Sequence, residues 1–331
     1  MNTKNIKNMK KLIEIKELSK EFPIKKGFFN RQIGAVHAVN NVNLDIYAGE
    51  TLGLVGESGC GKSTTGRCIL GLTDITKGHI KIDGIELNNT DPKTLKNLRK
   101  RMQIIFQNPY SSLNPRMSIL DSLKEPFIIH KTLKGKVLNQ RLTELLDMVG
   151  LSTNILSRYP HEFSGGQRQR IVIARALALN PDFIIADEPV SSLDVSIQAQ
   201  IINLLEDLKK QLGLTYLFIS HDLSVVRFVS DRVAVMYLGE IIELAPVNLL
   251  FDNPKHPYTQ ALLSAVPVPD PDANKEKRIL LQGDLPSPAN PPSGCKFHTR
   301  CSYIMDICKT QIPVQAEIEN DHFVNCHLYN K

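Results

Sequence analysis

Three short stretches of this 331-residue chain carry residue types that can act together on phosphate groups. Gly56-Glu57-Ser58-Gly59-Cys60-Gly61-Lys62-Ser63 fits the phosphate-binding loop pattern. Its glycines let successive backbone N–H groups turn inward, and a helix starting here presents its positive end to the same anion. Lys62 adds a point charge, and the Ser63 hydroxyl, with Thr64 beside it, can join a Mg²⁺ shell. The run Phe183-Ile184-Ile185-Ala186 then delivers Asp187 and Glu188, two carboxylates at the C-terminal end of an apolar strand. Asp187 can hold Mg²⁺, and Glu188 can orient and deprotonate an attacking water. Ser164-Gly165-Gly166-Gln167-Arg168, at the start of a helical pattern, makes a second anion cradle. By itself that pentapeptide is equally an ordinary helix cap followed by flexible glycines.

Elements able to hold these residues are readable around them. Thr51-Leu52-Gly53-Leu54-Val55-Gly56 is a short apolar run ending in glycine, as a buried strand entering a loop would be. Phe183 to Ala186 and Thr215 to Ser220 read as two more buried strands. Ser196 to Leu212 reads as a helix with Ile197, Ile201, Leu204, Leu205 and Leu208 apolar. Buried strands alternating with helices predict an α/β parallel sheet, and with the loop motif a P-loop NTPase core. From Leu12 to Glu50, alternating pieces such as Leu12-Ile13-Glu14-Ile15 predict an antiparallel β edge region. From about Asn108 to Phe163 the pattern is mainly helical, interrupted by Pro109, Pro115, Pro126 and Pro160. This reads as a helical subdomain, about 108–165, inserted into the core. After Pro254 prolines crowd at 267, 269, 271, 286, 288, 291 and 292, and four cysteines follow. The expected organisation is one nucleotide-binding domain over 12–253 and a C-terminal Cys/Pro-rich extension over 254–331.

A hydrophobic fraction of 42% and a charged fraction of 22% are those of an ordinary globular protein. The net charge of +6 would suit an anionic partner, but much of it sits in Lys4, Lys7, Lys10 and Lys11 and in Lys93 through Arg101. Such runs read as a solvated tail and a solvated helix face. No run of about 18 apolar residues exists, so no spanning segment is expected. The basic start is followed by Leu-Ile-Glu-Ile-Lys-Glu rather than by a signal-like apolar region. The expectation is a cytoplasmic chain whose membrane role comes through a partner.

In this order and context, the motifs resemble the nucleotide-binding subunits of ABC transporters nearly end to end. The resemblance implies ATP sandwiched between the phosphate loop of one subunit and Ser164-Gly165-Gly166-Gln167 of its partner. Gln107, after Gln103-Ile104-Ile105-Phe106, resembles the glutamine loop and implies contact with Mg²⁺. Ser191-Ser192-Leu193-Asp194 resembles the loop that crosses the dimer interface. His221 resembles the switch histidine at the γ-phosphate, and Phe22 the aromatic that stacks on adenine. Taken singly, such a Gln is ordinary surface, such a Phe ordinary core, and such a His a satisfied structural residue.

One nucleotide-binding unit without fused membrane helices, a second copy or long insertions suits an importer subunit. Gln107 to Arg116, Asp194 to Gln200, and His256-Pro257-Tyr258-Thr259 resemble the oligopeptide/dipeptide importers. The wording of the phosphate loop and the entry loop near Lys25 to Arg31 resemble the second ATPase of that group. The implied partners are a second, different ATPase subunit, two membrane permease subunits and an external solute-binding protein. The implied place is the cytoplasmic face of the membrane, peripherally. Relatives that carry nickel or another small solute share these motifs. A soluble DNA- or ribosome-associated ABC ATPase is the other alternative, favoured only by positive charge, and no nucleic-acid partner is expected.

Four of the six cysteines, Cys295, Cys301, Cys308 and Cys326, crowd into the tail. Disulfides do not suit a reducing cytoplasm, whereas soft thiolates select zinc or an iron–sulfur cluster. Their Cys-x5-Cys-x6-Cys-x17-Cys spacing lacks the close knuckle of structural zinc sites. A 4Fe–4S cluster tolerates irregular spacing, and the tail resembles the cysteine-bearing extension of peptide-importer ATPases, some of which hold one. Zinc, or small buried thiols without metal, are the alternatives. His298 and His327 read as neighbours rather than ligands.

Overall fold

The computed structural model describes residues 9–27, 31–88, 90–266, 279–319 and 321–329. Lys4, Lys7, part of the entry loop (28–30), Pro267, Pro269 and Pro271 lie outside the described residues. The described residues form two compact units. One comprises Lys11–Ile46, Thr51–Asn88 and Ser220–Lys331, and the other Met1–Lys10, Tyr47–Glu50 and Asn89–Ile219.

The first unit opens with β1 (Lys11–Lys26), β2 (Arg31–Tyr47), β3 (Thr51–Val55), α1 (Lys62–Ile69), β4 (Lys77–Ile82) and β5 (Ile85–Glu86). A sheet of order β2-β1-β4-β5 forms, with β4 antiparallel to both β1 and β5. Ile13 faces Ile82 and Ile15 faces Ile80 across β1 and β4, and all four are buried. Such apolar cross-strand pairs fix the register, because a one-residue slip would turn them to solvent. The alternation seen from Leu12 onward thus belongs to strands far longer than the fragments it suggested. Asp83 and Gly84, both at positive φ, close the β4–β5 hairpin.

The second unit supplies α2 (Pro92–Arg101), β6 (Met102–Ile105), α3 (Pro109–Ser112), α4 (Ile119–His130), α5 (Gly135–Met148), α6 (Gly165–Ala176), β7 (Phe183–Asp187), α7 (Val195–Leu212) and β8 (Thr215–Ile219). Strands β6, β7 and β8 run parallel in that order, Ile104 opposite Ile185 and Ile185 opposite Leu217. Every residue of β7 and β8 is buried, which is why both read as unbroken apolar runs. Helix α6 packs against α3, α4, α5 and α7. Pro126 does not interrupt the helical stretch. It lies inside α4, whose Ile119, Leu123 and Phe127 are buried. One missing backbone hydrogen bond is outweighed there by packing.

The chain then returns to the first unit with α8 (Leu223–Val229), β9 (Arg232–Tyr237), β10 (Glu240–Pro246), α9 (Val247–Asp252), α10 (Pro257–Ser264), α11 (Asp306–Thr310), β11 (Gln315–Glu319) and β12 (His322–Asn325). Strand β3 lies parallel to β9, and the order continues outward through β10 and β12 to β11. The cysteine-bearing tail therefore contributes strands rather than only loops. Its anchor is Glu243 on β10, whose carboxylate accepts the backbone N–H groups of Lys255 (2.7 Å) and His256 (2.9 Å) and meets His322 Nε2 at 2.7 Å. Glu243 and His322 side chains are both 0% exposed, so each is the other's replacement for water. No helix among the described residues is long and apolar enough to cross a membrane.

His256 caps α10 by accepting the Tyr258 N–H on Nδ1 (3.0 Å), which requires the neutral ring. Burial pushes its pKa down to about 4, against a partial opposing pull from Glu243. Between the unfolded value of 6.5 and about 4, the unfolded chain binds a proton that the folded chain refuses. The associated stability is complete above 6.5 and is lost as pH falls toward about 4, a change on the order of 3 kcal/mol. His256→Asn keeps a capping acceptor without titrating, so it should flatten this acid limb in denaturant unfolding measured across that range.

Candidate functional site

Residues 56–61 connect β3 to α1 as a tight loop, and two of its glycines are required by their surroundings. At Gly56 (φ 151°) a Cβ would run into the Met236 carbonyl oxygen, and at Gly61 (φ 107°) into that of Ala38. Ser58 and Gly59 form the exposed tip, while Cys60 is buried as a small filler whose thiol pKa is raised by burial. Lys62 is only 6% exposed. Its Nζ turns back into the loop and donates to Gly56 O (2.8 Å) and Glu57 O (3.0 Å), with Cys60 Sγ at 3.8 Å. Helix α1 starts from Gly61 without a side-chain cap and without an acidic residue in its first turn. Its leading N–H groups and positive end are thus arranged for an anion. Ser63 and Thr64 sit half-buried on that first turn.

Two further residues singled out by the sequence belong to this unit. Phe22 on β1 is 41% exposed, with Lys20 Nζ 4.8 Å from its ring centroid, so a flat aromatic face is available at the surface. His221 is exposed, and its neighbour Ser220 donates its N–H to Leu54 O (3.3 Å) on β3, the strand that feeds the loop.

In the other unit, β7 presents Asp187, 6% exposed, and then Glu188. Glu188 has φ 50°, a conformation non-glycine residues avoid, and its N–H is held by Ile219 O at 2.9 Å. Such strain persists only where neighbours over-determine it, typically at working sites. Gln107 Nε2 donates to Glu188 Oε2 at 2.7 Å, and Ser191 closes the turn through Glu188 O (3.1 Å). The structure therefore brings Gln107, Asp187 and Glu188 to one place. All three present oxygen donors of the hard kind that Mg²⁺ takes. The strain and the amide clasp on Glu188 have no local sequence signal.

Ser164 caps α6 reciprocally: its Oγ accepts the Gln167 N–H (3.3 Å) while Gln167 Oε1 accepts the Ser164 N–H (3.1 Å). A Cβ at Gly166 would stand 2.6 Å from Ile197 Cγ2, so this glycine lets α6 approach the start of α7. Asp194 caps α7, accepting from Ile197 N (3.0 Å) and Ser196 Oγ (2.8 Å), and these bonds, the Ile197 N–H foremost, lower its pKa. Within one chain, then, Ser164 and Asp194 do the work of helix caps.

All four tail cysteines line one small cavity together with His298 and His327, and all are free thiols. Burial raises Cys295 to about 12 and Cys326 to about 11, with neighbouring cysteines adding to the effect, and it also raises Cys301. His298 Nδ1 faces Cys295 O and His327 Nε2 faces Gln311 O (both 2.9 Å), so each ring has a carbonyl partner. Among the described residues, however, no group of three or more His, Cys, Asp or Glu side chains is arranged to hold a metal ion. The cysteines converge as expected, without metal-like geometry. Another cavity, about 520 Å³, is lined by Asn40, Glu240, Phe297 and Val314 among others and contains none of the phosphate-loop residues.

With the lysine of one strand–helix turn and the paired carboxylates of another strand described, the chain as a whole can be set beside known proteins. Residues 39–191 match the family model for ABC transporters, and residues 242–308 that for the oligopeptide/dipeptide transporter C-terminal region. The oligopeptide transport ATP-binding protein AppF of Bacillus subtilis is 55% identical over 98% of this chain and 99% of its own length. The chain belongs to the ATP-binding subunits of ABC transporters. Putative oligopeptide transport ATP-binding protein YkfD of the same organism is 52% identical over 96% of this chain and 95% of its own. Among solved structures, the dimeric ATP-binding cassette MJ0796 bound to ADP and Pi superposes with a TM-score of 0.63. It is 32% identical and covers 71% of this chain and 98% of its own. The ABC ATPase fold expected from the motifs is thereby established.

Proposed function

We propose that this ABC ATPase hydrolyses ATP to power an importer of oligopeptides or dipeptides, as one of two different ATPase subunits. The carrying observation is the strained Glu188 at the end of β7, beside Asp187 and gripped by Gln107 at 2.7 Å. A carboxylate so held keeps one oxygen partnered and its position fixed, as a base that must meet a water at hydrogen-bond reach requires. The loop N–H groups and Lys62 bind the phosphates, Lys62 exchanging loop carbonyls for phosphate oxygens. Ser63, Asp187 and Gln107 would supply oxygen ligands for Mg²⁺, which would neutralise phosphate charge. Glu188 takes the proton of the attacking water, whose oxygen bonds the γ-phosphorus as the bond from that phosphorus to the ADP oxygen breaks, and His221 contacts the γ-phosphate. Phe22 offers its exposed face to adenine.

The capped start of α6 faces the nucleotide of a partner subunit. The peptide cargo is supported by the names of AppF and YkfD and by the match of 242–308. Two permeases, an external solute-binding protein and a peripheral place at the cytoplasmic membrane face complete the reading. A structural soft-metal site at Cys295, Cys301, Cys308 and Cys326, an iron–sulfur cluster or zinc, has only their chemistry and their shared cavity behind it, because the thiols as they stand are not arranged to hold an ion. Such a metal would be bound by thiolates, so the raised pKa values of Cys295, Cys301 and Cys326 describe the metal-free thiols.

Glu188→Gln should retain ATP binding while turnover falls on the order of 10²–10⁴-fold, as measured by nucleotide binding and phosphate release. Ser164→Arg should abolish turnover of the assembled transporter while leaving ATP binding by the same chain nearly intact. If the isolated chain turns over ATP at a rate per molecule independent of its concentration while no dimer is detected, the shared site is refuted. Anaerobically purified protein should contain iron and sulfide, or zinc, in amounts that Cys301→Ser removes.

A further inference from the structure

Glu57 is an odd residue for a loop that holds phosphates, because its carboxylate carries the same sign as the ligand. The structure shows how that charge is managed, and the partners come from far along the chain. Arg300 Nη1 lies 2.9 Å from Glu57 Oε2 and 3.2 Å from Oε1, and the arginine side chain is only 9% exposed. The Glu57 N–H is taken by the Tyr258 hydroxyl oxygen at 2.9 Å. The carbonyl of the same peptide group, Gly56 O, accepts from Lys62 at 2.8 Å. One peptide plane of the phosphate loop is therefore pinned on opposite sides, by its own lysine and by the C-terminal region. The Glu57 N–H is thereby drawn away from the mouth of the loop, as the Cys60 N–H is by Glu57 O (3.3 Å).

The two pinning side chains stand on a rigid base. Tyr258, Tyr237 and Phe297 form a buried aromatic cluster with ring centroids 4.7–5.5 Å apart. Arg300 rises from a short turn, His298–Arg300, tied by His298 N to Cys295 O (3.1 Å) and by Cys301 N to His298 O (3.4 Å). Cys295 N in turn bonds Cys308 O at 2.9 Å. The four-cysteine region thus fixes the turn that carries the arginine.

We infer that the C-terminal region completes the phosphate site, with Arg300 and Tyr258 as positioning residues: Arg300 cancels the Glu57 charge and Tyr258 sets the Gly56–Glu57 peptide. This rests on the reading of 56–63 as the ATP phosphate loop. Removal of Arg300 leaves a half-buried carboxylate beside the bound triphosphate, and like charges at that range in a protein environment repel appreciably. The penalty is electrostatic, so it disappears if Glu57 loses its charge and shrinks as salt rises.

The test is equilibrium binding of Mg·ATP to the full-length chain, with thermal unfolding recorded for each variant. Arg300→Ala should weaken binding about tenfold, less so at high ionic strength. Arg300→Ala combined with Glu57→Gln should recover most of the loss, which a merely damaged fold would not do. Tyr258→Phe should weaken binding several-fold, and Glu57→Gln should not rescue it, because the lost contact is to the backbone. If Lys62→Ala weakens binding but Arg300→Ala does not, or if the double variant stays weak, the positioning role is overturned and the loop assignment stands. Unchanged binding by Lys62→Ala would overturn the loop assignment itself and this inference with it.

Discussion

An ammonium group that is 6% exposed must find its hydrogen bonds inside the protein, and Lys62 finds them in the carbonyls of Gly56 and Glu57. A buried charge without such partners would be opposed by several kcal/mol of desolvation. Much else around the loop follows from meeting that demand. The loop must curl tightly enough to offer two carbonyls to its own lysine, which brings it against the backbones at Met236 and Ala38 and leaves no room for side chains at Gly56 and Gly61. The strands beneath are buried and parallel, as β3 and β9 show.

What the sequence discloses and what it hides divide along the range of the interactions. Strands β3, β7 and β8 and helix α7 were readable because burial on all sides, or on one helical face, prints itself on consecutive residues. The ordering of Lys62, Gln107, Ser164, Asp187 and His221 was readable because each motif is local. Glu57 and Arg300 are 243 residues apart, and no periodicity connects them. Glu243 with His322, and β12 beside β10, are hidden for the same reason, so the tail looked like an appendage defined by proline and cysteine alone. Pro126 misled in the opposite direction, since a local helix-breaking rule gave way to the packing of Ile119, Leu123 and Phe127. The positive φ of Glu188 depends on Ile219 in the next strand and could not be anticipated from its own neighbours.

Ser164 and Asp194 show that a bland reading and a functional one need not compete. Each satisfies early N–H groups of its own helix, and a cap is what makes a helix start rigid enough to meet a ligand at defined distance. Gly165 and Gly166 follow the serine without side chains, and Gly166 is already committed to the close packing of α6 against Ile197. A position required for packing on one side leaves bare backbone on the other. Inside a single chain the arrangement is stable and complete, and whatever it does for another subunit is added to a structure that stands without it.

The addition of β12 to β10 also has a bearing on how the protein behaves when damaged. Strand β10, Glu240-Ile241-Ile242-Glu243-Leu244-Ala245-Pro246, is mostly apolar, and β12 occupies its outer hydrogen-bonding side. Beyond β12 the rim is β11, whose Glu317 and Glu319 are exposed and negatively charged. A chain cut short by proteolysis or premature termination would uncover a sticky ribbon of open N–H and C=O groups on β10, the kind of edge that recruits other chains into aggregates. Strands β11 and β12 therefore serve as a selvedge, keeping the woven sheet from unravelling into its neighbours.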